Sequence, residues 1–330
     1  MFPEAPGLER VFDFFKTHES FILTTHEGAD ADGLGAELVF NRILGNMGKH
    51  VRIFNAEKTA SHFAFMDPQG NIEVWDGEKH AHVPEKSALL ILDTSDEYHI
   101  GCMRDLLGRV RETFVVDHHE PSPFSLLSGF IDPTASSTCE MAVEAALARE
   151  ITLDTDTAMA AFAGLSYDTG SFAYIKTTAR TFRAALALIE WGAVPYSVYR
   201  ELNESSSLGA VLLRKQVLST LEIRAGGRAA VLILRKEDLE STGANFEDAE
   251  TFINIPLRAR EIAVSILVKE NREGKVRCSL RSKGPVNVSK IAQQFGGGGH
   301  VTAAGFKSAL SIEETLSRVL EKVESLLETV

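Results

Sequence analysis

Five short apolar runs rich in β-branched residues mark the first part of the chain: FILTT (21–25), VRIF (51–54), ALLIL (88–92), TFVV (113–116) and GFI (129–131). Their brevity and lack of polar alternation predict strands buried on both faces. Between the first two lies GLGAELVFNRILGNMGKH, where Leu34, Leu38, Ile43 and Met47 recur at helical spacing and Gly48 supplies a stop. A strand, a helix and a strand in succession imply a parallel sheet. After SSTCE, in which Ser137 and Glu140 fit a capping box, MAVEAALARE, DTAMAAFAGLSYD and ARTFRAALALIEWG predict three helices. Residues 195–222 are helical in pattern. Beyond them the period changes: RAAVLILR, EIAVSILVKE and KVRCSLRSK predict strands, the last two joined through the turn NREG, and the amphipathic IEETLSRVLEKVESLLETV follows. The expected architecture is α/β: a parallel-sheet domain over residues 1–194, a helical linker over 195–222 and a smaller α/β domain over 223–330.

Length and composition agree with two globular domains, since 330 residues exceed one ordinary core and 44% of them are apolar. No run reaches the roughly 20 apolar residues of a membrane span, and the opening MFPEAPGLER lacks the basic start and apolar centre of a secretory signal. A cytoplasmic protein without a membrane partner is expected. Cys102, Cys139 and Cys278 lack metal-site or disulfide spacing and predict reduced thiols. The net charge of -12 is uneven: residues 1–220 hold 18 Lys+Arg against 31 Asp+Glu, and residues 221–330 hold 16 against 15. An acidic first domain argues against tracking duplex nucleic acid, which draws on many Lys and Arg contacts to phosphate. A short anionic substrate stays open, because bound divalent cations invert the local sign.

Three predicted strands end in acids or imidazoles: FILTTHEGADAD, ALLILDTSD and TFVVDHHE. In an open parallel sheet, ligands bind outside the carboxyl ends of the strands. His26, Asp30, Asp32, Asp93, Asp117, His118 and His119 are therefore expected to converge on one crevice. Singly, Asp30 and Asp32 read as turn residues beside Gly and Ala, and His26 as an ordinary core or surface histidine. Together at three strand ends they favour a site. So many carboxylates repel one another unless cations offset them, and oxygen ligands with one or two imidazoles suit Mn²⁺ or Mg²⁺. Asp96, Glu97 and Asp132 read as caps or turns.

The set THEGADADGLG, LDTSD, VVDHHE and AGLSYDTGSFAYIKTTART resembles, in order and spacing, the four motifs of the DHH phosphoesterase superfamily. SLRSKGPVNVSKIAQQFGGGGHVTAAGF is similar to the Gly-Gly-Gly-His signature of the DHH-associated C-terminal domain. The form with both domains most resembles bacterial oligoribonucleases (nanoRNases) that also remove the 3′-phosphate of 3′-phosphoadenosine 5′-phosphate (pAp). Ala29 stands where many members carry proline, and Ala36 where serine is common. The resemblance implies two divalent cations, Mn²⁺ first and Mg²⁺ or Co²⁺ as alternatives. One would be held by His26, Asp30 and Asp93, the second by Asp32, Asp93, His118 and Asp168. It implies in-line attack of water at phosphorus without a covalent enzyme intermediate. Asp117 is then expected to orient a ligand histidine and His119 to serve the phosphate or leaving group.

From Arg258 to Lys290 nine Lys+Arg face three Asp+Glu, and the excess runs into GGGGH. Glycines let backbone N–H groups approach a phosphate, so Gly297, Gly298, Gly299 and His300 are expected in substrate binding, against the plainer reading of a hinge. Arg281 joins them on the family-like RSKG, while Lys283, on the same side of the strand, has an ordinary solvated edge as its rival reading. Phe172 and Phe295 are candidates for base stacking or for core packing. The expected partners are short single-stranded RNA and small nucleotides, on which the two domains would close. Cyclic or linear dinucleotides, pyrophosphate and longer single-stranded DNA are the rival substrates. A nucleotide sensor without turnover is the rival class, disfavoured because no ligand position is lost. Members of the family often pair, and the 195–222 stretch or a sheet edge is a candidate homodimer surface.

Overall fold

The computed structural model describes residues 7–121 and 127–328 and divides into two compact units, residues up to 205 and residues from 206. In the first, α1 (Leu8–Thr17) precedes β1 (Ser20–Thr24), and α2 (Ala31–Asn46) leads to β2 (His50–Asn55). β3 (Ile72–Val74), β4 (Ala88–Leu92), β5 (Thr113–Asp117) and β6 (Gly129–Ile131) complete a sheet of order β3-β2-β1-β4-β5-β6, every neighbouring pair parallel. Strand order reverses between β1 and β4, which pair from Phe21↔Ala88 to Thr24↔Ile91. A reversal of this kind opens a crevice beyond the carboxyl ends of the two strands.

Alternation along the strands sends Phe21, Leu23, Leu90, Leu92 and Val116 to one face and Ile22, Leu89, Ile91 and Val115 to the other. The first face packs with α1, α2, α3 (Thr138–Ala148), α4 (Thr155–Asp168) and α5 (Ala179–Glu190). The second packs with Trp75 and the 3-10 segment Gly101–Leu106. Burial on both sides explains the unbroken apolar runs. α1 is an addition to the expected elements: Phe14 stacks on Phe114 at 5.0 Å, and Phe15 meets Phe21 and Phe40 edge-on at 5.7 and 5.9 Å.

α2 ends before Gly48, whose φ of 75° lets the chain turn away. It crosses α4 where both helices lack side chains. A β-carbon on Gly164 would lie 2.5 Å from Cys139 Sγ and 2.7 Å from the Ala31 carbonyl, and one on Gly35 would lie 2.8 Å from the Ala160 carbonyl. Ser137 caps α3 by accepting from the Glu140 N–H at 2.9 Å, but the Glu140 carboxylate turns to Ser136 instead, so only half of the box forms. Arg180 of α5 ties this corner together through Glu144 and Asp132, at 2.6 Å each.

The expected linker is two helices, each packed into its own unit. α6 (Pro195–Asn203) adds Val198 to the first core. α7 (Leu208–Ser219), capped by Ser207, adds Leu213 and Val217 to the second. The unit boundary at Ser205–Ser206 falls between them. The second unit continues with β7 (Glu222–Arg224), β8 (Ala229–Leu234), α8 (Lys236–Thr242), β9 (Val264–Glu270) and β10 (Val276–Ser282). It ends with α9 (Ser289–Gln294), β11 (Gly298–His300), β12 (Ala303–Ser308) and α10 (Ile312–Glu328). The sheet order is β11-β12-β10-β9-β8-β7, antiparallel except for β8 with β9. The NREG turn joins β9 to β10 as expected, with Asn271 Oδ1 accepting from the N–H of Glu273 and Lys275. Cys102 is exposed and unpaired, Cys139 and Cys278 buried and unpaired. Among the described residues no helix is long and apolar enough to cross a membrane.

Two glycines test the α2–α4 crossing. Gly164→Ala is expected to cost about 1–3 kcal/mol as overpacking against backbone that has nowhere to go. Gly45→Ala, in α2 with nothing within 4 Å of the added carbon, is expected to gain about 0.5–1 kcal/mol from helix propensity. Urea midpoints falling in the opposite order would refute the close crossing.

Candidate metal centre

The turn after β1 is stitched to both neighbouring strands. Thr25 donates through Oγ1 to the Leu92 carbonyl at 2.9 Å and through its N–H to Asn55 Oδ1 at 3.2 Å. Asn55 in turn donates to Glu37 Oε2 at 3.0 Å. Burial, only partly offset by Asn55, pushes the Glu37 carboxyl up to about 8. These ties fix where His26 emerges. Its Nδ1 lies 2.9 Å from the Glu27 carbonyl, and its Nε2 lies 3.8 Å from Asp30 Oδ1 and 3.7 Å from Asp93 Oδ2.

Asp30 is the N-cap of α2, accepting from the N–H of Asp32 and Gly33 at 2.9 and 3.3 Å. Asp32, in the first turn, is fully buried. It accepts from the N–H of Thr138 at 2.6 Å and of Cys139 at 2.8 Å, the two residues that open α3. The positive end of that helix thus steadies a carboxylate that water does not reach. Asp93 follows β4 with φ of 62°, a conformation that is rare outside glycine but least costly for Asp and Asn. Thr138 Oγ1 donates to it at 2.9 Å. His118, after β5, brings Nε2 to 3.0 Å from Asp168 Oδ2, 3.5 Å from Asp93 Oδ1 and 3.8 Å from Asp32 Oδ2. Asp168 ends α4. Beyond it Gly170, Ser171 and Phe172 are all left-handed, and this turn leads to Lys176, which donates to the His118 carbonyl at 3.3 Å.

Six expected metal ligands therefore lie in overlapping groups: His26, Asp30 and Asp93; Asp32, His118 and Asp168; and Asp93 with His118 and His119. Within each group the candidate ligand atoms lie within 4.8 Å of one another. Among the described residues, Asp30, Asp32, Asp93 and Asp168 have no ion pair with Lys or Arg. The histidines feel this negative field. Burial works against charge on His26, yet Asp30 and Asp93 outweigh it and hold its pKa up at about 11. Burial likewise opposes charge on His118, and Asp168, Asp32 and Asp93 raise it to about 10. Burial and then Asp168 push Asp32 up to about 6, and burial with Asp32 pushes Asp93 well above the usual carboxylate range. Asp30, despite its burial, is held low by His26. Both ring nitrogens of His118 are buried without a hydrogen-bond partner, as is Oδ2 of Asp117. Oxygen and imidazole donors converging with unmet valence and excess negative charge suit a hard or borderline divalent cation.

The partner of Asp117 is the second histidine of the pair. Its Oδ1 accepts from the His119 N–H at 3.0 Å and lies 2.8 Å from His119 Nδ1, so it orients His119 and not the candidate ligand His118. Phe172 stacks on Phe182 at 5.4 Å and Phe295 on Phe306 at 4.6 Å, and both half-buried rings rest against the cores of their units. In the second unit the last two glycines of the run lie in an edge strand: β11 pairs with β12 through Gly298↔Gly305, Gly299↔Ala304 and His300↔Ala303. A β-carbon on Gly297 would lie 2.2 Å from the Gly305 carbonyl, and one on Gly299, at φ of 133°, 2.4 Å from the Ala303 carbonyl. These two glycines serve strand approach, while Gly298 has open space beside it. Arg281 lies half-buried in β10, opposite Ala303. The His300 side chain lies outside the described residues. Sequence reasoning passed over Asn55, Thr138 and Lys176. Asn55 ends a strand as the acids do, but its amide carries no charge to draw notice.

Residues 20–165 match the family model described as DHH family, N-terminal domain, and residues 226–329 that of the DHHA1 domain. The chain is similar to the bifunctional oligoribonuclease and PAP phosphatase NrnA of Thermus thermophilus, 27% identical over 309 residues that cover 91% of this chain and 88% of that protein. It is also similar to the cyclic-di-AMP phosphodiesterase GdpP of Geobacillus thermodenitrificans, 26% identical over 94% of this chain and 48% of that one. An exopolyphosphatase-related protein from Bacteroides fragilis has the same fold, with a TM-score of 0.89 and 23% identity over 97% of each chain.

Raised imidazole pKa values have a direct consequence for metal uptake. His26 and His118 are protonated at neutral pH while no cation is bound, and ligating imidazoles must be neutral. Titration with Mn²⁺ at pH 7.5 is expected to release protons, and apparent affinity to fall as pH is lowered. Calorimetry in buffers of different ionisation enthalpy reads the release; identical heats in all buffers would refute the assignment.

Proposed function

Because the chain belongs to the DHH family of phosphoesterases, hydrolases that depend on metal ions, we propose that it cleaves short oligoribonucleotides to mononucleotides and removes the 3′-phosphate of pAp. The observation that carries this reading is the position of Asp93, whose carboxylate lies beside both His26 and His118. On this reading His26, Asp30 and Asp93 hold one divalent cation, and Asp32, Asp93, His118 and Asp168 hold the other, with Mn²⁺ the first choice. Two such cations supply Lewis-acid activation of water and neutralise the charge that builds up at phosphorus.

The chain's own residues do the rest. The N–H groups of Thr138 and Cys139 and the hydroxyl of Thr138 hold Asp32 and Asp93 in place. Asp117 fixes the His119 ring, so that its outer edge meets the phosphate or the leaving oxygen. Arg281, Gly297, Gly298, Gly299 and His300 bind the substrate's phosphate from the second unit. The similarity to NrnA supports the pairing of RNA and pAp as substrates. The similarity to GdpP supports a second reading, a cyclic or linear dinucleotide. Three unpaired cysteines suit the reducing cytoplasm, where such nucleotides arise.

The test compares a 5′-phosphorylated diribonucleotide, pAp and cyclic di-AMP with Mn²⁺, with Mg²⁺ and with chelator, measuring mononucleotide and free phosphate. Metal-dependent release of mononucleotide and of phosphate from pAp is the expected result. Turnover of cyclic di-AMP alone would replace it with the second reading. Asp93→Ala is expected to bring every rate to background while the variant melts, in chelator, close to its parent. Near-normal rates with unchanged metal content would remove Asp93 from the centre.

A further inference from the structure

The turn that follows α4 carries an aromatic ring that the metal chemistry does not use. It leaves from Asp168, the last residue of the helix, and runs left-handed through Gly170, Ser171 and Phe172. Its backbone is tied at several points. The Ser171 N–H donates to the Ser166 carbonyl at 2.7 Å, and Thr169 Oγ1 donates to the Leu165 carbonyl at 2.6 Å while accepting from the Phe172 N–H at 3.0 Å. Ala173 and Tyr174 both donate N–H to the Thr169 carbonyl at 2.9 Å, and Lys176 reaches back to the His118 carbonyl. The Phe172 ring packs with Phe162 of α4 at 5.8 Å and Phe182 of α5 at 5.4 Å.

Phe172 faces the core, whereas Tyr174 is 62% exposed and Ile175 beside it 100%. The Tyr174 ring lies flat on Gly170. A β-carbon on that glycine would sit 2.4, 2.5 and 2.7 Å from Cζ, Cε1 and Cε2, near-equal distances that put it over the face of the ring and not at its edge. Backbone therefore covers one face of the ring and the other is open to water. Two large apolar side chains exposed side by side next to a polar centre have the make-up of a ligand site. Gly170 follows Asp168 by two residues, so its Cα lies no more than about 7 Å from that of the candidate metal ligand. The ribose between a phosphate and its base bridges a comparable gap.

We propose that Tyr174 stacks on the nucleobase of the nucleotide whose phosphate lies at the metal centre. The inference rests on the reading of the centre as a nucleotide phosphoesterase and adds a base subsite to it. Every base has a π-face, so a platform of this kind takes RNA without reading its sequence. Because the turn already holds the ring in place, little freedom is lost when a base lands on it.

The test compares Y174A and Y174F with the parent on pAp and on its abasic analogue, 1-deoxyribose 3,5-bisphosphate, with Mn²⁺. The parent and Y174F are expected to prefer pAp in kcat/KM. In Y174A that preference is expected to fall about tenfold, carried by KM for pAp. Proton release on Mn²⁺ uptake, the same in Y174A as in the parent, is expected to show the centre intact. Equal losses on pAp and the abasic analogue would make Tyr174 a support for the turn and overturn the base site, as would an unchanged preference. A parent that cleaves neither pAp nor short RNA would discard the oligoribonuclease reading by itself. The base site is then read on cyclic di-AMP, where a tenfold rise of KM in Y174A keeps it and an unchanged KM removes it. Turnover of pyrophosphate and of no nucleotide would discard both.

Discussion

Mutual repulsion among Asp30, Asp32, Asp93 and Asp168 is the constraint around which the first unit is arranged. Their carboxylates crowd the point where strand order reverses between β1 and β4, and no Lys or Arg ion pair relieves them among the described residues. Relief comes from elsewhere. The N-terminus of α3 is brought against Asp32, the hydroxyl of Thr138 against Asp93, and imidazoles are drawn into their charged form. Each device costs the fold something: a left-handed aspartate, a buried helix end, a buried histidine ring held among carboxylates. Such a centre is poised to exchange bound protons for a metal ion.

Holding α3's first turn on Asp32 demands that α2 and α4 come very close, and glycine makes that possible. Gly35 and Gly164 face the same thiol, Cys139 Sγ, so three elements meet at one small spot directly beneath the carboxylates. Packing and electrostatics are here one problem, because a helix displaced by a methyl group carries its backbone N–H away from the charge it stabilises.

The strands were legible in the sequence because a parallel sheet covered on both sides leaves continuous apolar runs, and the acids ending β1, β4 and β5 pointed to the crevice. Less legible was α1: Val11, Phe12, Phe14 and Phe15 are residue types that favour strands, and tertiary packing of the rings, not propensity, makes them a helix. Gly298 and Gly299 carry no strand signal because glycine weakens strands, yet at Gly299 the lack of a β-carbon is what lets β11 lie against β12. The linker at 195–222 carried a helical period throughout, and only packing shows that α6 and α7 belong to different cores. Thr138 and Cys139 act through backbone N–H groups, which every residue has, so no letter in the sequence marks them.

The three thiols give the molecule its own set of clocks. Cys102 meets solvent, whereas Cys139 is sealed beneath the carboxylates and Cys278 within the second core. Burial and then the neighbouring Asp32 raise the Cys139 pKa far above that of a free thiol, so it reacts only when the helices around it part. Alkylation at Cys102 marks the time of mixing, and the lag at Cys139 measures how often the seam of α2, α3 and α4 breathes open. The lag at Cys278 does the same for the other unit, so a single reagent reports two local stabilities in one unlabelled chain.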